Sequence, residues 1–181
     1  MTKIKLATLW LGGCSGCHMS FLDLDEWLID LAAQVDVAYS PLADTKEYPD
    51  EVDVALVEGA VANNEHLHLI HQVRRRTKVI IAFGDCAVTG NVTALRNALG
   101  SPASILQQLY VNRADLHGQM PTDPEVMPVL LDQVLSVHAV VPVDVYLPGC
   151  PPSAERIRTA LEQVLAGKLG RFAGREMIKF G

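Results

Sequence analysis

The feature that most constrains this chain is one short pattern that occurs three times: a mostly apolar segment runs into a glycine turn that carries cysteine. The segments span residues 5–11, 79–83 and 143–147, and they lead to Cys14 and Cys17, to Cys86 and to Cys150. Apolar runs rich in β-branched residues are typical of central parallel strands buried on both faces. The carboxyl ends of neighbouring parallel strands meet at one sheet edge, where open α/β sheets bind their ligands. The pattern therefore predicts that all four cysteines of the chain converge.

Strand-like and helix-like segments alternate along the chain, which predicts a doubly wound α/β sheet in a single domain over residues 1–181. We expect strands at 3–11, 35–39, 52–57, 78–83 and 143–147, and helices at 17–33, 64–75, 89–98 and 153–165. The tail 167–181 is expected to lie across a neighbouring subunit.

Residues 101–140 differ from the rest of the chain. They contain several prolines and no strand pattern, with short helical segments such as 129–135. A stretch of this length without strands inside a compact domain is usually functional. We therefore interpret 101–140 as an irregular insert that contacts a partner subunit rather than covering the domain's own core.

Composition narrows the class of protein. The net charge of −6 argues against a nucleic-acid-binding surface. The sequence has no run of ~18 apolar residues that would span a membrane, and the apolar run at 6–11 is shorter than the core of a signal peptide, ~7–15 residues. Four cysteines in a chain of 181 residues make a poor disulfide scaffold. We expect a cytoplasmic protein with reduced thiols and no membrane span.

The four thiols indicate a metal centre. Thiolates in fours select zinc or an iron–sulfur cluster. Structural zinc sites generally use two closely spaced cysteine pairs, whereas this chain has one pair and two separate cysteines. Glycines near the cysteines let the backbone approach closely and direct N–H groups at sulfide. These glycines are Gly13, Gly16, Gly84 and Gly149. The residues themselves favour an iron–sulfur cluster and leave zinc open.

Four motifs carry a resemblance to a known family. They are Trp10-Leu11-Gly12-Gly13-Cys14-Ser15-Gly16-Cys17, Val57-Glu58-Gly59-Ala60, Phe83-Gly84-Asp85-Cys86 and Leu147-Pro148-Gly149-Cys150-Pro151-Pro152. In this order they closely resemble the small subunit of nickel–iron hydrogenases, whose wider family includes the 20 kDa subunit of NADH:quinone oxidoreductase. The resemblance implies a flavodoxin-like fold and an electron-transfer role. It also implies one 4Fe–4S cluster held by Cys14, Cys17, Cys86 and Cys150.

Two departures narrow the branch of the family. Quinone-reducing relatives have two adjacent cysteines at the first motif, whereas Ser15 and Gly16 separate the pair here. Periplasmic hydrogenase small subunits carry a twin-arginine leader and further clusters, and we expect neither in this protein. The resemblance therefore points to the soluble NAD-reducing hydrogenase. It implies as partners a large subunit with the nickel–iron centre and diaphorase subunits with flavin and iron–sulfur clusters.

Several alternatives stay open at this point. The protein could instead be a zinc-stabilised interaction protein, or a relative linked to quinone or another acceptor. Glu58 matches the family's Glu-Gly step, and is either a buried carboxylate on a proton route or an ordinary polar strand end. His18 either hydrogen-bonds a cluster sulfur or lies at the surface. FMN is not expected in this chain, because cysteines occupy the turn where a flavodoxin has a phosphate loop rich in Ser and Thr.

Overall fold

The computed structural model describes residues 3–124, 126–168 and 177–180. In chain order the helices and strands are β1 (Ile4–Trp10), α1 (Gly16–Leu22), α2 (Trp27–Gln34), β2 (Val35–Tyr39), β3 (Val52–Glu58), β4 (Val61–Asn63), α3 (Asn64–Arg76), β5 (Thr77–Phe83), α4 (Asp85–Thr89), α5 (Asn91–Ala94), α6 (Pro102–Gln107), β6 (Leu130–Leu135), β7 (Val145–Leu147) and α7 (Ala154–Leu165). Short 3-10 turns at Leu95–Ala98 and Val137–Ala139 and a π-helical turn at Gln108–Asn112 join some of them.

A five-stranded parallel sheet forms the centre of the fold, with strand order β2-β1-β3-β5-β7. Counted along the chain, this is the flavodoxin-like order 2-1-3-4-5. The order changes direction between β1 and β3, and ligands of such sheets bind outside the carboxyl ends of the strands at that point. The predicted doubly wound α/β fold is therefore confirmed.

Helices cover both faces of the sheet, because alternate strand residues point in opposite directions. On one face, Ile81 of β5 belongs to a buried cluster with Ile157 of α7. On the other face, the neighbouring Ile80 belongs to a second cluster with Ile70 of α3. The three inner strands are buried along most of their length, as their continuous apolar runs predict.

Two predicted helices are interrupted in the structure. The helix expected at 17–33 consists of α1 and α2, separated near Asp25, whose φ is +49°. Aspartate tolerates this left-handed conformation better than most residues. The helix expected at 89–98 begins earlier, at Asp85, and ends at Gly90, whose φ of +87° is typical of a helix C-terminus. Cys86 therefore lies inside the first turn of a short helix.

The prediction for the insert is wrong for its last part. Residues 130–135, expected to be helical, form strand β6, which pairs antiparallel with β4. Val134 and Val137 are buried, and Val137 belongs to the core cluster that contains α3. The periodicity of this short segment is ambiguous, and the free edge of β4 decides its conformation. This part covers the domain's own core, so partner contact remains a prediction for residues 101–129.

The end of the chain is described only in part. Met177 packs into the core cluster that contains α7, and its carbonyl accepts a hydrogen bond from Arg156 Nη2 at 2.8 Å. Residue 177 thus contacts its own domain. The prediction that the tail crosses a neighbouring subunit concerns mainly residues 169–176 and 181, which lie outside the described residues.

Candidate metal centre

The structure brings the four cysteines to one cavity at the carboxyl edge of the sheet. Cys14 follows β1, Cys17 lies in the first turn of α1, Cys86 lies in α4, and Cys150 follows β7. All four are free thiols, with Cys17 and Cys86 buried and the other two exposed. The cavity has a volume of about 60 Å³. Its other lining residues are Gly16, Glu58, Asp85, Gly149 and Pro151.

Glycine is required at two positions beside the cysteines. Gly84 has a φ of +85°, and a Cβ there would overlap the Sγ of Cys17. Gly149 has a φ of +140°, and its Cβ would lie 2.5 Å from Pro152 Cα. Of the other two predicted glycines, Gly16 lines the cavity and Gly13 packs against Gly59. These contacts explain why glycine is needed at 84 and 149, and the approach of the loop backbone to a bound cluster stays a prediction.

Hydrogen bonds fix the two loops that carry Cys86 and Cys150 to each other. The Asp85 N–H donates to the Gly149 carbonyl at 2.9 Å, and the Gly149 N–H donates to Asp85 Oδ1 at 2.6 Å. The Gly84 N–H also donates to the Leu147 carbonyl at 2.8 Å, which extends the β5–β7 pairing into the loops. Asp85 is therefore a structural tie between two cysteine loops as well as a negative charge beside the cavity.

A buried Glu58–His18 pair lies beside the cysteines. Glu58 ends β3 with only 1% of its surface exposed. Its Oε2 accepts the backbone N–H of His18 at 2.9 Å and also contacts His18 Nδ1. His18 is itself buried, and its Nε2 has no hydrogen-bond partner among the described residues. The structure therefore shows that Glu58 is buried at the end of its strand, and excludes a surface position for His18.

Sequence reasoning did not predict this pair, because the two residues are far apart in the chain. The available signal was topological. His18 follows the β1 turn and Glu58 ends β3, and these two strands are neighbours in a flavodoxin-like order.

The inner thiols lie in an environment that disfavours a free thiolate. Burial raises the pKa of Cys17 well above its usual range, and the negative charges of Glu58 and the other cysteines raise it further. Burial also raises the pKa of Cys86, partly opposed by hydrogen bonds from Thr93 and Val92. A bound metal deprotonates a coordinating thiol outright. Bound metal cations would therefore offset the unfavourable free energy of a thiolate at these buried positions.

The donor set fits a thiolate-bound metal centre. Four soft sulfur ligands face one cavity, and such ligands suit zinc or an iron–sulfur cluster. A single Zn²⁺ needs its sulfurs at about 2.3 Å from one point. Among the described residues, no three Cys, His, Asp or Glu side chains are grouped closely enough to hold a single ion.

Residues 91–93 form a further part of the site that sequence reasoning missed. Asn91 Nδ2 donates to Cys150 Sγ at 3.5 Å. Thr93 Oγ1 donates to the Gly12 carbonyl at 2.8 Å, in the loop that leads to Cys14. Because a continuous helix was expected over 89–98, the turn at 91–93 was not predicted. Gly90 was the sequence signal for this turn.

Comparison with known proteins assigns the family. The family model described as NADH ubiquinone oxidoreductase, 20 Kd subunit, matches residues 14–164. The chain belongs to this family. The match includes all four cysteines and Glu58, and confirms the membership predicted from the motifs.

Its relatives include subunits of several hydrogenases. The chain is 41% identical over 168 residues to a subunit of the vhu F420-non-reducing hydrogenase of Methanococcus voltae, covering 92% of this chain and 58% of the relative. It is 36% identical over 170 residues to the delta subunit of the NAD-reducing hydrogenase HoxS of Cupriavidus necator, covering 92% and 80%. The chain thus spans little more than half the length of some relatives and most of the length of another.

One solved structure contains a chain that has the same fold and nearly the same length as this one. The structure described as NAD+-reducing [NiFe]-hydrogenase in the H2-reduced state contains a chain that is 40% identical, with a TM-score of 0.93. The superposition covers 99% of this chain and 100% of that one. A [NiFeSe]-hydrogenase chain from Dm. baculatum shares the fold alone, with 16% identity and a TM-score of 0.59. None of the described helices is long and apolar enough to cross a membrane.

Proposed function

We propose that this chain is the electron-transfer small subunit of a cytoplasmic nickel–iron hydrogenase of the NAD-reducing type. The observation that carries the proposal is the convergence of four cysteines, from the ends of three parallel strands, on one cavity. The 40% identity and TM-score of 0.93 to a chain of an NAD+-reducing hydrogenase support it. The chain would work as one subunit and would not split hydrogen by itself.

We assign Cys14, Cys17, Cys86 and Cys150 as the ligands of one 4Fe–4S cluster. When bound, such a cluster supplies a one-electron acceptor and donor site. The chain positions these ligands through glycine turns that bring the backbone close, and through the reciprocal hydrogen bonds between Asp85 and Gly149. Because Cys14 and Cys150 are exposed, one side of the cavity reaches the protein surface. A partner that covers this side would exclude water and bring its own redox centre close.

The proposed partners follow from the relatives. A large subunit would hold the nickel–iron centre, and diaphorase subunits with flavin and iron–sulfur clusters would pass electrons to NAD. Support for NAD comes from the HoxS relative and from the solved structure, whose names both state NAD reduction. Other relatives are named F420-non-reducing hydrogenases, so a different acceptor is the second candidate.

Metal analysis of the ligand variants tests the cluster. The complex that co-purifies with the tagged chain should contain iron and acid-labile sulfide in this subunit. Replacing Cys17 with Ser should abolish or degrade the cluster and lower the yield of complex, because metal binding is coupled to folding. The same result is expected for Cys14→Ser, Cys86→Ser and Cys150→Ser. Met19→Ser, on the exposed side of α1, is the control and should retain iron.

The outcomes separate the alternatives. Zinc in place of iron and sulfide would establish the zinc-stabilised interaction protein. Full iron content in one cysteine variant would remove that residue from the ligand set. Hydrogen-driven reduction of NAD by the intact complex tests the acceptor, and reduction of a quinone without NAD reduction would favour the quinone-linked alternative.

A further inference from the structure

We propose that Asn91 raises the redox potential of the metal centre by donating a hydrogen bond to the Cys150 sulfur, an inference that rests on the function proposed above. Asn91 Nδ2 lies 3.5 Å from Cys150 Sγ, a normal distance for an amide donor to sulfur. Asn91 belongs to none of the four motifs that carry the family resemblance. It is a positioning residue, because it acts through the cysteine.

The backbone holds Asn91 in place directly after the helix that carries Cys86. Gly90 ends α4 in the left-handed conformation, and its N–H donates to the Cys86 carbonyl at 2.9 Å. Asn91 follows with a φ of +32°, a region that asparagine tolerates better than most residues. Its own N–H donates to Thr89 Oγ1 at 3.3 Å. The amide that reaches Cys150 is thus attached to the backbone that positions Cys86.

The residues that follow Asn91 anchor the turn from the other side. Thr93 binds the Gly12 carbonyl in the loop before Cys14. Asn97 donates to the Val134 carbonyl at 3.0 Å and accepts the Val134 N–H at 2.7 Å. The turn is therefore fixed between the first cysteine loop and strand β6. This anchoring fixes the backbone from which the exposed Asn91 side chain reaches Cys150.

The hydrogen bond from Asn91 acts beside a cavity that acidic side chains line. Glu58 and Asp85 both line the cavity and are both buried. Acidic groups beside the centre oppose the addition of an electron, whereas N–H donors to sulfur stabilise the more negative reduced state and raise the potential. Asn91 supplies such a donor at Cys150, one of the two exposed cysteines, where a partner would approach.

Two substitutions at position 91 isolate the hydrogen bond from the backbone. Asn91→Asp keeps the shape and the tolerance for positive φ, but replaces the N–H donor with a carboxylate oxygen. Asn91→Gly removes the side chain without backbone strain. The matched control is Asn64→Asp, the same chemical change at an exposed position in the first turn of α3. The probe is the purified complex, in which the cluster signal is followed by electron paramagnetic resonance during a redox titration.

We expect Asn91→Asp to lower the reduced-to-oxidised ratio of the cluster about tenfold at a fixed potential, which for a one-electron couple is a shift of about 59 mV to more negative values. Asn91→Gly should shift the potential in the same direction by less, and Asn64→Asp should leave it unchanged. Iron content should equal that of the wild type in all three variants. The shift distinguishes tuning from a merely structural role, which would alter iron content or yield.

Failure of this inference is distinguishable from failure of the proposed function. A wild-type complex without iron and sulfide would refute the function. A cluster-containing complex whose potential is the same in wild type, Asn91→Asp and Asn91→Gly would refute the role of Asn91 alone. If Asn91→Asp loses its cluster, Asn91→Gly decides: an unchanged potential overturns the proposal, and a negative shift supports it.

Discussion

Glu58 lies in a structural setting that its position in the sequence does not indicate. It ends a buried strand, lies beside four thiols and bonds to His18 through both the backbone N–H and the ring. Burying a carboxylate is unfavourable without such partners. Its role on a proton route at the interface with the large subunit remains a prediction.

We predict that Glu58→Gln slows hydrogen–deuterium exchange by the assembled hydrogenase, because the amide keeps the shape of the side chain but removes a titratable group. General acid–base groups contribute about 100-fold or more to rates, and a loss of that order is expected. Exchange is measured in the gas phase over the complex. Glu65→Gln, exposed in the first turn of α3, is the control. Normal exchange in a Glu58→Gln complex with full iron content would exclude Glu58 from the proton route.

We predict that Tyr48 makes the stability of the protein depend on pH in the alkaline range. Burial raises the pKa of Tyr48 to about 12, and its hydroxyl hydrogen-bonds Thr77 Oγ1 at 2.5 Å. In the unfolded chain a tyrosine has a pKa of about 10. The raised pKa means that the folded state holds the proton more tightly, so its contribution is complete below pH ~10 and is lost between about 10 and 12.

Tyr48→Phe should therefore remove this alkaline sensitivity. At pH ~8 the variant should be less stable by about 1 kcal/mol, because the Thr77 hydroxyl loses its partner. The difference from the wild type should narrow as the pH rises above ~10. Thermal unfolding of the wild type and of Tyr48→Phe, at pH ~8 and above pH ~10, measures this difference in stability. An equal difference at both would show that Tyr48 ionises normally.

Among the strands, β6 is held beside β4 with the help of a side chain from a third segment. Asn97 lies in the 3-10 turn after α5 and binds both backbone polar groups of Val134. Arg96 Nη2 adds a hydrogen bond to the Leu131 carbonyl at 2.8 Å. Two side chains thus attach the short antiparallel β4–β6 pair to the turn that follows α5.

Asn97→Ala should loosen β6, because it leaves the buried Val134 N–H without its acceptor. An unsatisfied buried donor costs about 1–3 kcal/mol. We expect the Val134 amide to exchange with solvent roughly tenfold faster or more, while the Val57 amide in β3 is unchanged. Hydrogen-exchange mass spectrometry of the complex measures both. The control is Asn112→Ala, at the exposed end of the π-helical turn. Equal exchange protection of the Val134 amide in wild type and Asn97→Ala would show that Asn97 does not hold β6 in place.

In the molecule as a whole, the described residues of the insert segment 101–129 expose several large apolar side chains. Leu116 is 83% exposed and Val126 is 81% exposed. An apolar groove of about 320 Å³ lies in the same segment, lined by Pro102, Ala103, Leu106, Met120, Pro121, Thr122, Pro124, Met127, Val129 and Leu130. Large exposed apolar patches mark interaction sites or aggregation-prone surfaces. This surface supports the prediction that the insert contacts a partner subunit.

The double substitution Leu116→Asp and Val126→Asp should weaken assembly. Each apolar side chain contributes about 1.5–3 kcal/mol when fully buried, so the amount of large subunit recovered with the tagged chain should fall more than tenfold. Ile29→Asp is the matched control, because Ile29 is 74% exposed on α2. Undiminished recovery with the double variant would show that the insert does not contact the large subunit.

Local sequence patterns predict the parallel sheet and the edge at which the cysteines gather. Continuous apolar strands such as 79–83 can be buried on both faces only in a sheet covered by helices, and the turn after each strand then lies at the carboxyl edge. This local information suffices because strand periodicity and glycine turns act over a few residues. The observed sheet confirms the predicted fold, and the family match confirms the predicted family.

Which distant side chains meet depends on long-range packing. The Glu58–His18 pair, the Asn91–Cys150 hydrogen bond and the conversion of 130–135 into a strand each join segments that are about 40 residues or more apart. No local propensity encodes these contacts. They arise because β1 and β3 are adjacent, because Gly90 ends α4, and because β4 offers a free edge. Long-range packing then selects one conformation from several that the local sequence permits.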